Sequence, residues 1–123
     1  MQVHPDLLRA DAAELTKNFF EVTNFLGLSN REIGEILGVS EATISRAKTR
    51  ERYFAQNRHQ QWRCAELMIR AVHELNRIYD HPRKEKHWFT TYNSDLGAMP
   101  ITLLHSMEGL IEVVSHLESR QLP

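Results

Sequence analysis

The chain has 123 residues, a formal net charge of −1 and 41% hydrophobic residues, which is typical of a small globular protein. No apolar run approaches the ~18 residues of a membrane span, and the N-terminus lacks the pattern of a secretory leader, so we expect a cytoplasmic protein without membrane association. Five glycines and four prolines argue against a turn-rich β fold, and one cysteine cannot form an internal disulfide or a multi-cysteine zinc site.

The first predicted helix covers residues 8–26, where apolar residues recur at steps of three and four. Gly27 suits a left-handed helix end. Residues 29–32 read Ser-x-x-Glu, a capping box that predicts the start of a second helix. Gly38 ends that helix, and Ser40 is placed to cap a third.

The third helix is predicted over residues 41–48, followed by a polar connector at 49–56 in which Tyr53 and Phe54 are the anchors. A long helix follows over 57–79, and Pro82 limits its extent. Further helices are predicted over 83–89, from Pro100 onward and over 108–117, with turn residues at 91–97. No segment alternates with a period of two, so we predict an all-α fold.

Positive charge is concentrated in the middle of the chain. Residues 31–63 carry four acidic and seven basic side chains, whereas the segments on either side are each net acidic. A small basic excess is usually a solvated face, and it indicates nucleic-acid binding only where a groove-reading element lies in the same place.

Residues 30–48 supply such an element. They read NREIGEILGVSEATISRAK, and this segment resembles the helix-turn-helix of repressor-type DNA-binding proteins, including the Xre/Cro group. Gly34 offers the small residue that close helix packing needs, and Gly38 permits the sharp turn. The shared core of the motif is then predicted to contain Ile33, Leu37, Val39 and Ile44.

The resemblance implies that the second helix of this motif reads the major groove. The implied base contacts are Ser40, Glu41, Thr43, Ser45 and Arg46. The implied phosphate contacts, which are salt-dependent and independent of sequence, are Lys48, Arg50 and Arg52.

The C-terminal third carries a second pattern, formed by Trp88, Phe89, Asn93, Leu96, Gly97, Pro100, Leu103, Leu104, Gly109, Val113 and Leu117. It resembles the toxin-binding domain of the Xre/MbcA/ParS antitoxin family. In that family a small helical domain of this kind follows a helix-turn-helix, and both occur here in that order.

The resemblance implies an antitoxin that neutralises a RES-domain toxin, which depletes cellular NAD⁺, by occluding the toxin's active site. It also implies a homodimer within a larger toxin–antitoxin complex, and repression of its own operon through operator DNA. The implied toxin-binding residues are Trp88, Tyr92, Asn93, Met99, His105 and Arg120. Among them, the exposed Tyr92, Met99 and His105 are favoured as contacts, whereas Trp88 is favoured as core and Asn93 as a turn residue.

The sequence predicts no enzyme, no cofactor and no metal site. Seven histidines are present, but no His-Glu-x-x-His motif occurs, and Cys64 has no base in evident reach. The predicted organisation is a helix-turn-helix region at 1–56, a connecting or dimerisation helix at 57–80 and a toxin-binding domain at 81–123. Two alternatives remain open: a standalone repressor with a C-terminal dimerisation domain, and an accessory subunit whose helix-turn-helix serves only packing.

Overall fold

The computed structural model describes residues 12–49, 54 and 58–119. Within those ranges the chain is all-helical, as predicted, and its helices are α1 (Ala12–Leu26), α2 (Asn30–Leu37), α3 (Glu41–Lys48), α4 (His59–Ile78), α5 (Pro82–Phe89), α6 (Pro100–Leu103) and α7 (Met107–Ser119). The part of the predicted first helix that precedes Ala12 lies outside the described residues.

The capping box predicted before α2 is present. The Ser29 hydroxyl accepts the Glu32 backbone N–H at 3.1 Å, and the Glu32 carboxylate accepts the Ser29 N–H at 3.1 Å. Such caps stabilise a helix by about 1 kcal/mol, because they satisfy backbone donors that have no partner within the helix. Gly38 ends α2 at φ 72°, in the left-handed region that glycine adopts without strain.

The turn between α2 and α3 depends on the absence of a side chain at Gly34. A Cβ atom built there would lie 2.6 Å from the Val39 carbonyl oxygen, so only glycine lets the turn backbone approach α2 this closely. Together α2, the three residues 38–40 and α3 form a helix-turn-helix whose core includes the fully buried Ile33 and Ile44. The sequence prediction for this motif is confirmed.

The central helix α4 packs against α1 on one side and α7 on the other, with further contacts to α2 and α5. Its buried residues include Ala65, Ile69, Val72 and Leu75, which recur at steps of three and four along the helix. They join one continuous core that extends from Leu15 in α1 to Leu117 in α7. Most of the apolar surface of α4 is therefore used inside the chain.

Candidate DNA-binding and partner-binding surfaces

The outward face of α3 is polar and exposed, as a groove-reading helix requires. The helix buries only Ile44 and Ala47. Of the predicted DNA contacts, Ser40, Glu41, Ser45, Arg46 and Lys48 are exposed, and Thr43 is half-buried. Arg50 and Arg52 lie outside the described residues.

The predicted contacts on α3 differ in the bonds they already make. The Ser40 hydroxyl caps α3 by accepting the Thr43 N–H at 3.1 Å, and it lies 2.9 Å from the Thr43 hydroxyl. The Lys48 ammonium lies 5.7 Å from the centre of the Phe20 ring in α1. Arg46 forms no ion pair among the described residues and projects from the exposed face, so it is the strongest candidate for a base-edge contact.

The chain that follows α3 is fastened to α1. The Phe54 backbone N–H donates to the Thr16 hydroxyl at 3.0 Å, and that hydroxyl donates to the Ala12 carbonyl at 2.6 Å. The buried Phe54 ring meets Phe19 edge-on at 5.3 Å. Phe54 is thus the anchor that the sequence predicted, whereas Tyr53 lies outside the described residues.

A tight turn joins α5 to α6. The Asn93 side-chain oxygen accepts the backbone N–H groups of Asp95 at 2.9 Å and Leu96 at 3.2 Å. The Asn93 N–H donates to the Ala98 carbonyl at 3.0 Å, and Gly97 adopts φ 73°. Asn93 and Gly97 therefore shape the turn as predicted.

The predicted partner contacts fall into two groups. Tyr92 is 66% exposed, Met99 is 40% exposed and His105 is also exposed. Trp88 is only 8% exposed and its ring centre lies 5.2 Å from that of Phe89, so it is a core residue with a small accessible edge. Arg120 lies outside the described residues.

A groove that sequence reasoning did not predict runs along α5. This α5 groove has a volume of about 410 Å³ and is lined by Tyr79, Arg83, Lys84, His87, Trp88, Thr91, Tyr92 and Asn93. The residues of α5 that line the groove recur at four-residue spacing, so they share one face of the helix. The sequence contains this spacing, but the bounds of α5 are needed to recognise it.

Several buried polar groups were also missed. Glu85 on α5 is 6% exposed, and burial raises the pKa of its carboxyl group. The side-chain nitrogens Asn18 Nδ2, His73 Nδ1 and Asn76 Nδ2 are buried and have no hydrogen-bond partner within the described ranges. Cys64 is also buried, and burial raises the pKa of its thiol, which makes it a poor nucleophile.

The described residues contain no cluster of three or more histidine, cysteine or carboxylate side chains arranged to hold a metal ion. Nor does any helix among them combine the length and the apolar character that crossing a membrane demands.

Comparison with known protein families gives one match, in the N-terminal part of the chain. Residues 6–53 match a family model described as the antitoxin Xre-like helix-turn-helix domain. This range includes α1, α2 and α3. It ends next to Phe54, the residue that packs against α1. No curated protein matches the chain.

Proposed function

We propose that this chain is the antitoxin of a type II toxin–antitoxin system. The observation that carries the proposal is the match of residues 6–53 to an antitoxin-type helix-turn-helix. The second half adds the pattern from Trp88 to Leu117 that resembles the toxin-binding domain of Xre/MbcA/ParS antitoxins. The proposal assigns the chain two binding surfaces and no catalytic step.

The proposed partner is a RES-domain toxin that depletes NAD⁺. We place the toxin-binding face on the side of α5, the following turn and α6, where Tyr92, Met99 and His105 are exposed. Tyrosine and methionine are enriched at protein interfaces because they combine a large apolar area with adaptable contacts. Neutralisation would follow from occlusion of the toxin's active site, to which Arg120 would contribute.

The proposed second partner is operator DNA, bound by α3 in the major groove. The exposed Arg46 and Lys48 of α3 fit this role. A DNA-binding role also implies a cytoplasmic location. Helix-turn-helix proteins usually bind two half-sites as dimers, so we also propose a homodimer within the toxin complex.

The test is co-expression with the product of the adjacent gene. The adjacent product alone is expected to arrest growth and lower intracellular NAD⁺, and this chain is expected to restore both through a complex that co-purifies. A Tyr92→Ala/Met99→Ala variant should lose the rescue, while an Arg31→Ala variant, altered on the exposed face of α2, should keep it.

The alternative function is a standalone repressor, which the exposed face of α3 equally favours. It requires specific binding to promoter DNA by this chain alone. A harmless neighbour that does not co-purify, combined with tight binding to the chain's own promoter, would replace the antitoxin proposal with this one.

A further inference from the structure

The α5 groove is lined mainly by aromatic and basic side chains. Tyr79, Trp88 and Tyr92 supply aromatic surface, and Arg83, Lys84 and His87 supply basic groups. Among the residues that the structure describes, no aspartate or glutamate lines it. An occupant that complements this lining is negatively charged and carries at least one apolar side chain.

The basic side chains of the α5 groove differ in whether they already form an ion pair with a carboxylate. The Lys84 ammonium lies 3.0 Å from the Asp80 carboxylate, which lowers the pKa of Asp80. Arg83 and His87 form no ion pair among the described residues. They lie one turn apart on α5, so an acidic ligand can meet both at once.

The shape of the α5 groove favours a segment of polypeptide over a compact ligand. It follows a helix of eight residues, about 12 Å long at 1.5 Å per residue, and continues past the helix end to Tyr92 and Asn93. Tyr92, which is 66% exposed, also belongs to the proposed toxin-binding face. Arginine, tyrosine and tryptophan are the residue types that dominate binding energy at protein interfaces.

We propose that the α5 groove receives an acidic segment of the toxin, with an apolar side chain of that segment seated against Tyr92 and the edge of Trp88. This proposal rests on the proposed function, since it specifies how the same partner is held. Arg83 and His87 meet the acidic groups, and the aromatic side chains bury the apolar anchor.

The test measures the affinity of the purified full chain for the adjacent gene product at low and high salt. Reversing the two unpaired basic groups, in R83E/H87E, is expected to weaken binding tenfold or more and to flatten its salt dependence, because steering and pairing by charge are removed. Y92A is expected to weaken binding similarly but to leave the salt dependence intact.

The matched control is K86E. Lys86 lies on the same helix and is exposed, but it is absent from the α5 groove and its ammonium approaches Gly27 instead. It is expected to change affinity by less than about twofold, as for exposed charges outside an interface. Circular dichroism of each variant confirms that the helices persist.

The outcomes separate the two proposals. If the unaltered chain does not bind the adjacent product, the antitoxin proposal and the groove proposal both fail. If it binds and R83E/H87E behaves like K86E, only the α5 groove is excluded as the docking site.

Discussion

At the scale of the residue, Gly34 has the most sharply defined role. Alanine is a better helix former than glycine by about 1 kcal/mol, so Gly34→Ala would stabilise α2 if nothing packed against this position. Here its Cβ would lie 2.6 Å from the Val39 carbonyl oxygen. We expect a net loss of roughly 1–3 kcal/mol in the free energy of unfolding, because the turn backbone must move.

Urea unfolding measures this loss, with Glu35→Ala as the control, since Glu35 is exposed on the same helix and forms only a surface ion pair with Arg31. A Gly34→Ala variant as stable as the unaltered chain would show that α2 and the turn can separate freely.

Glu85 makes stability depend on pH. Burial raises the pKa of its carboxyl in the folded chain, so the folded state binds the proton more tightly than the unfolded state does. Stability therefore falls as pH rises from the unfolded pKa through the folded pKa, and the penalty persists at neutral pH.

Glu85→Gln should consequently raise the melting temperature at pH 7 and have little effect near pH 4. Thermal unfolding at both values tests this, with Glu112→Gln as an exposed control. An equal effect of Glu85→Gln at the two pH values would contradict the assignment.

At the scale of the element, α3 separates its buried residues from its candidate DNA contacts. If it reads the major groove, Arg46→Ala should weaken binding to the chain's own promoter DNA by about 1–3 kcal/mol, or roughly fivefold to 150-fold. Fluorescence anisotropy with Arg31→Ala as the control measures this. Equal affinities of the two variants would remove Arg46 from the interface.

Elements with local signals were predictable from the sequence. The bounds of α2 and α3 depend on caps and glycines within four residues of each end, such as Ser29 and Gly38, and so they could be read directly. The long helix α4 was predicted within two residues at its start, because its apolar period extends over five turns.

Features created by tertiary contact were not predictable. Glu85 is buried on a helix that contacts α4 and α6, and nothing within α5 itself distinguishes it from an exposed glutamate. The α5 groove likewise joins Tyr79, which follows α4, to residues of α5 and the next turn. Such surfaces require the packing of the helices to be known first.

At the scale of the whole molecule, the continuous core predicts cooperative unfolding. Leu75 in α4 is fully buried, and Leu75→Ala should cost roughly 2–5 kcal/mol through lost burial and the cavity left behind. Arg77→Ala, on an exposed part of the same helix, should change stability by less than about 0.5 kcal/mol.

Tryptophan fluorescence, which reports Trp62 and Trp88, and far-UV circular dichroism, which reports all the helices, should give one coincident transition. Two separated transitions would show that α1–α3 and α5–α7 unfold as independent units.

The position of α4 between α1 and α7 also bears on how such a chain can diversify. Because α4 packs against both α1 and α7, a recombination event that replaces the N-terminal half also changes the helix packing that supports the C-terminal half. A chimaera joined between α3 and α4 must keep the contacts of α1 with α4. We therefore expect the two halves to be exchangeable only as a matched pair.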